Sequence, residues 1–258
     1  MLHNQYLCSP VFYKKRMPIA IDLGNTLAKA ALFEGDTMLG PFVFDPESPE
    51  NLIKMIEPLN LPEVCMIASV REIPEILIKK LSLLSQVSIL DHNSKLPFSI
   101  SYETPQTLGR DRIAAVAAAW KRFPGQNVLV IDMGTCITYD LLTKQGVYEG
   151  GAISPGIYMR FNAMHKFTNK LPLATPAKEV LLTGKTTISS LQSGVMNGVQ
   201  AEIETLISRY EAVYEDLTVL IGGGDNKYFD KKFKINIFAA SNLVLEGLKV
   251  LIDFNEIE

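Results

Sequence analysis

One short pattern occurs twice in this chain, and it limits what the chain can fold into. Ile19-Ala20-Ile21-Asp22-Leu23-Gly24-Asn25-Thr26 and Val130-Ile131-Asp132-Met133-Gly134-Thr135 are each a brief apolar run ending in Asp, followed by glycine and then threonine. A second apolar run follows each copy, Ala28–Glu34 and Ile137–Leu142, so both read as β-hairpins. The two aspartates are separated by about the length of one small domain. A duplicated domain is the simplest explanation, joined near Phe123–Gln126, where Pro124-Gly125 stops the preceding helix. This divides the chain into a first domain at 18–124 and a second at 125–258. Residues 1–17 differ in character: they hold polar and basic residues, Lys14, Lys15 and Arg16 among them, before an abrupt apolar strand, and read as an N-terminal extension with Met17 a candidate start. Charge and apolar residues stand in the wrong order for a signal peptide, and no small-residue cleavage site follows.

Strand and helix patterns alternate through the remainder. Val64–Val70, Val87–Leu90, Val128–Ile131 and Leu217–Gly222 are short apolar runs that read as strands. Pro49–Pro58, Ile73–Leu84, the alanine-rich Asp111–Phe123, the stretch from about Leu191 to Tyr214 and Ser241–Phe254 read as helices. Alternation of this kind indicates an α/β fold. With 258 residues, 47% of them hydrophobic and 21% charged, the chain can bury one or two cores and is not broadly disordered. Its formal charge of -3 speaks against a nucleic-acid partner, and no run approaches the ~20 apolar residues of a membrane span. Cys8, Cys65 and Cys136 are scattered, as expected of free thiols in a reducing cytoplasm. His3, His92 and His165 have no partner at metal-ligand spacing.

The repeated turn suits nucleotide phosphates. Glycine lets the backbone approach an anion, and the N–H groups of the turn and the threonine hydroxyl can donate to phosphate oxygens. The aspartate cannot bind phosphate itself, but it can hold a cation that the phosphates share. Two such turns facing each other would grip a triphosphate from both sides; one alone would be no more than a tight hairpin. Gly222-Gly223-Gly224 after an apolar strand fits either a flexible turn or an adenosine site. The chain has neither a GxxxxGK[ST] phosphate loop nor a GxGxxG fingerprint after its first strand. Gly109-Arg110-Asp111-Arg112 opens the alanine-rich helix. There an arginine can clamp an anion and Asp111 can accept a proton, the flanking cations favouring its ionised form. Asp111 can equally be a first-turn residue that favours the helix dipole, with an arginine paired to it. Thr187 is a helix cap or a ligand contact, and Gly150–Gly156 reads as a small-residue loop leading into a helix.

Taken together, these residues resemble the type III pantothenate kinase family, within the superfamily of acetate and sugar kinases, heat-shock chaperone ATPases and actin. The motifs carrying the resemblance are Asp22–Thr26 with Lys29, Ala68-Ser69-Val70, Gly109-x-Asp111-Arg112, Asp132–Thr135, Gly150–Gly156, Leu171-Pro172, Thr186-Thr187 with Ser193-Gly194, and the late glycine-rich turn. The resemblance implies two duplicated RNase H-like (actin-like ATPase) domains with mixed sheets flanked by helices. It implies a cytoplasmic homodimer that phosphorylates pantothenate with ATP, the first step toward coenzyme A. It places ATP on Asp22, Leu23, Gly24, Asn25, Thr26, Leu27, Ala28, Lys29 and Thr135. It places pantothenate on Tyr102, Gly109, Arg110, Asp111, Arg112 and Thr187, with Asp111 as proton acceptor. Asp132 would hold a monovalent cation, K+ or ammonium, and Mg2+ would sit near Asp22. Two departures stand out: Arg110 occupies a position that is usually small or apolar, and Ile221 precedes the late glycines where the family usually has threonine. Another phosphotransferase or phosphohydrolase of the superfamily, such as a sugar kinase or an exopolyphosphatase, and a non-catalytic regulatory protein on this fold are the alternatives.

Overall fold

The computed structural model describes residues 17–59, 64–229 and 237–256. The extension ending in Lys14-Lys15-Arg16 lies outside these residues, apart from Met17.

The first copy of the pattern forms β1 (Ile19–Leu23) and β2 (Ala28–Glu34), and β3 (Thr37–Phe44) continues the meander. After helix α1 (Glu50–Ile56) come β4 (Val64–Ser69), α2 (Glu75–Ser82) and β5 (Gln86–Ile89). They assemble in the order β3-β2-β1-β4-β5, with β2 antiparallel to both neighbours and β4 and β5 parallel to β1. A short strand β6 (Ser99–Ile100) and helix α3 (Arg110–Arg122) precede the second copy. That copy forms β7 (Val128–Met133) and β8 (Cys136–Leu142), followed by β9 (Val147–Pro155). Helices α4 (Ile157–Lys166) and α5 (Thr187–Glu211) lead to β10 (Thr218–Gly222), β11 (Ile237–Ala239) and α6 (Leu243–Glu256). The order is β9-β8-β7-β10-β11, with the same strand directions as in the first sheet and β6 added beside β9. The chain therefore repeats one mixed five-stranded topology.

The alternation of side chains along each first strand decides what faces where. Ile19, Ile21 and Leu23 point to an outer core shared with α1 and α2, whereas Ala20 faces an inner core shared with α3 and α6. Leu129, Ile131 and Met133 face α4 and α5, whereas Val128 and Val130 join the same inner core. Asp22 and Asp132 fall on the inward parity at the strands' carboxyl ends. Helix α3 lies between the sheets. Ile113 through Ala119 are all buried, and their small side chains let it fit there. Helix α6 comes from the second half of the chain, yet it packs against α3 and against β1 and β4 of the first sheet. The division at 124/125 is thus crossed by α6, and β6, which precedes it, belongs to the second sheet.

One sequence expectation is corrected. Gly150–Gly156 is not a loop: Gly150 through Pro155 lie in β9, paired residue by residue with β8. Glycine carries almost no strand signal, so here the pairing partner determines the conformation. Strand β3, which the sequence pattern does not pick out, contains Gly40-Pro41. It stands at the edge of the sheet, where proline is tolerated. Cys65 is a buried core thiol, pushed up to about 12 by that burial, and is therefore inert.

Candidate active site

Each hairpin tip is closed by the backbone N–H of its glycine, across three residues in the first copy and two in the second. Gly24 N–H donates to Leu27 O at 3.1 Å, and Gly134 N–H donates to Cys136 O at 2.9 Å. The two tips meet: Thr26 Oγ1 lies 2.8 Å from Thr135 Oγ1. Asn25, Thr26 and Leu27 are exposed at the first tip, whereas Leu23 and Ala28 are buried, so those two offer backbone rather than side chains. Lys29 stands directly across from Asp22 in the β1–β2 register. The late turn joins the second tip through Asp225 N–H, which donates to Met133 O at 3.0 Å, while Ile221 is wholly buried beneath it.

The amino end of α3 joins these tips through Asp111, which acts electrostatically on both Asp22 and Asp132 and completes an acidic crevice with them. Gly109 caps the helix, and Asp111 Oδ1 accepts the Arg112 backbone N–H at 2.8 Å. A Cβ on residue 109 would stand 2.5 Å from that oxygen, so glycine leaves room for the carboxylate. Asp22, Asp111 and Asp132 feel one another electrostatically. Burial, then Asp111, then Asp132 raise Asp22 to about 7, with Lys29 opposing. Burial and then Asp111 raise Asp132 to about 6, again against Lys29. Asp111 is raised as well, burial outweighing its helix N–H bond. The expectation that flanking cations hold it readily ionised is therefore corrected.

Neither arginine side chain forms an ion pair with Asp111 among the described residues. Arg110 folds back on its own approach turn, with Nη1 donating to Leu108 O at 2.8 Å and Nη2 to Gln106 O at 3.1 Å. Arg112 is buried. Its Nε donates to Asp140 Oδ1 at 2.8 Å, and Nη2 lies 2.7 Å from the same oxygen. Burial works against the charge, but Asp140 holds the guanidinium firmly protonated. The hydroxyl of Tyr148 donates to that oxygen at 2.5 Å. The Tyr102 ring lies 6.0 Å from the guanidinium carbon and packs on Gly150, where a Cβ would come within 2.9 Å of the ring. Sequence reasoning misses Asp140 and Tyr148. The signal that could have found the first is an aspartate on the inward parity of an otherwise apolar strand.

Thr187 is the first residue of α5, not its cap. Thr186 is the cap, in a capping box with Ser189, whose N–H donates to Thr186 Oγ1 at 3.1 Å. Among the described residues no hydrogen bond ties Thr187 to the acidic crevice. Behind the second sheet, Arg160 Nη2 donates to Glu202 Oε2 at 2.6 Å, and Ser154 and Tyr139 donate to Oε1, which braces β8, β9 and α4 against α5.

A sequence model of the type III pantothenate kinases matches residues 18–209, which include the tips, the α3 entry and the start of α5. The chain belongs to the type III pantothenate kinase family. A type III pantothenate kinase of Christiangramia forsetii is 45% identical over 244 residues, covering 93% of this chain and 99% of the relative. Another, of Cytophaga hutchinsonii, is 40% identical, covering 93% and 100%. Among solved structures, a Campylobacter jejuni protein assigned to the Baf family of transcriptional activators superposes with a TM-score of 0.62 at 20% identity, covering 93% of this chain and all of that one. A glucokinase from an Antarctic psychrotroph gives 0.52 at 12% identity, covering 93% and 99%. These two likenesses show a shared fold and nothing further about this pantothenate kinase family member. No helix among its described residues is long and apolar enough to cross a membrane.

Proposed function

We propose that the chain transfers the γ-phosphoryl group of ATP to the primary hydroxyl of pantothenate, giving 4'-phosphopantothenate, with Asp111 accepting the hydroxyl proton. The observation that carries this reading is the convergence of Asp22, Asp111 and Asp132 beneath two touching phosphate-type tips. Phosphoryl transfer depends on positioning and charge neutralisation more than on covalent chemistry. The tips offer backbone N–H groups and the hydroxyls of Thr26 and Thr135 to the triphosphate. Asp111 stands at a helix amino end, where a substrate hydroxyl can approach its second oxygen. Its raised pKa brings it closer to the range in which a general base works at neutral pH.

The donor set fits cations. No hydrogen bond among the described residues holds the carboxyls of Asp22 and Asp132 down. Lys29 is the cation that opposes both of their shifts, so ATP would add negative charge to a negative crevice. Among the described residues no three acidic, His or Cys groups enclose a metal by themselves, so phosphate oxygens and water would complete any shell. Asp132 would hold K+ or ammonium, and Asp22 would lie near Mg2+. These ions, when bound, neutralise phosphate charge.

Leu181 and Leu182, 71% and 85% exposed, and Leu173, Ile188, Tyr158 and Met159 are exposed large apolar side chains carried by α4, the start of α5 and the segment between them. Such exposure supports a homodimer. The free thiols Cys65 and Cys136 fit a cytoplasmic enzyme. The test is ADP release with pantothenate, set against a panel of sugars and polyphosphate, with and without K+. We expect turnover with pantothenate alone and stimulation by K+. Turnover with a sugar in place of pantothenate would overturn the reading.

A further inference from the structure

Arg112 sits next to Asp111 in sequence, with every electrostatic reason to pair with it. It does not. Both its Nε and its Nη2 reach Asp140 Oδ1, on β8, whose side chain is 0% exposed. Tyr148, from β9 and also 0% exposed, donates to the same oxygen and fixes the carboxylate from the other side. Tyr102 covers the guanidinium, seated on the bare backbone of Gly150. Two strands, β8 and β9, and the segment carrying Tyr102 thus converge to hold one arginine in one place. Asp140 Oδ2 and Arg112 Nη2 lack a hydrogen-bond partner of normal geometry among the described residues, although the Thr138 hydroxyl is close enough to favour the ionised Asp140. A buried ion pair with such imperfect bonding is a poor device for stability, because desolvation offsets most of its attraction. It is a good device for fixing geometry.

We propose that Asp140, steadied by Tyr148, is a positioning residue: it holds the Arg112 guanidinium away from Asp111 and over the Tyr102 ring, leaving Asp111 unpaired for the substrate hydroxyl and Arg112 fixed beside the pantothenate site. The assignment rests on the reading of the site as a pantothenate kinase centre. It adds a reason for the aspartate in β8 and for the tyrosine ten residues before Arg112. Without Asp140 the guanidinium turns toward the nearest carboxylate, Asp111, and occupies the base.

The test compares wild type, Asp140→Asn, Tyr148→Phe and the neutral pair Arg112→Met with Asp140→Leu. For each, pantothenate KM, kcat, the affinity for a fluorescent ATP analogue and the melting temperature are measured. Wild-type turnover of pantothenate comes first; its failure would fall on the functional reading and not on this assignment. Asp140→Asn should raise pantothenate KM and lower kcat, together by roughly 10–100-fold, as loss of an orienting partner commonly does. ATP-analogue affinity should stay within about twofold. Tyr148→Phe should move KM and kcat in the same direction by less. The neutral pair should recover the melting temperature without recovering kcat or KM, since well-packed apolar residues replace buried ion pairs readily. Wild-type kinetics in Asp140→Asn would overturn the assignment, as would recovery of kinetics together with stability in the neutral pair. Should Asp140→Asn fail to fold, Tyr148→Phe decides: unchanged KM and kcat would overturn the proposal.

Discussion

Asp22 is half-buried beside two other acids and a single lysine, and its carboxyl is pushed up from 3.8 to about 7. Between those values the folded chain keeps a proton that the unfolded chain releases, so this group's stabilising effect fades as pH rises through that range. Asp22→Asn removes the penalty. It should raise the melting temperature of the nucleotide-free protein by several degrees at pH 8 and by much less at pH 5; an equal rise at both values would refute the crowded-carboxylate picture. Asp111→Asn should keep ATP-analogue binding and lose turnover by ~10²–10⁴, the usual span for a general base, as read by steady-state ADP release. Asp22, Asp111 and Asp132 were legible in the sequence because two of them end matched strands and the third opens a helix. The pairing of Arg112 was not, since Asp140 is brought to it by the packing of α3 against β8, and chain order favours Asp111 instead.

Two elements set the geometry of the crevice, the paired hairpins and the α3–α6 contact. A Cβ on Gly247 would lie 1.6 Å from Ala114 O, so α6 meets the backbone of α3 directly. Gly247→Ala should therefore destabilise the protein by about 1–3 kcal/mol or more through overpacking, measured by chemical unfolding. At the start of α5, Thr186→Ala should cost about 1 kcal/mol through loss of the capping box, while Thr187→Ala should leave stability nearly unchanged. Equal losses would contradict the assigned cap. Short apolar runs on either side of a turn made β1, β2, β7 and β8 legible from residue order alone. That signal failed for β9, where glycines carry no pattern, and for β3, where Gly40-Pro41 imitates a turn; both depend on a neighbouring strand for their shape.

On the scale of the molecule, two sheets with one strand order enclose α3 and α6, and their first hairpin tips touch through Thr26 and Thr135. The duplication was visible as a repeated motif. The packing of α6 against the first sheet was not, because nothing local in its sequence names the distant surface it covers. If the apolar surface around Leu181 and Leu182 joins two copies, light scattering should give twice the 28.6 kDa of the chain, and Leu182→Asp should halve it. The central claim is that two acidic hairpin ends and the start of α3 form one phosphoryl-transfer centre. It is tested most directly by following label from γ-labelled ATP into pantothenate with wild type and Asp111→Asn side by side. The account predicts one labelled phosphopantothenate per ADP released in wild type and a rate at least about a hundredfold lower in the variant. Label appearing only as inorganic phosphate, or equal transfer by both proteins, would contradict it.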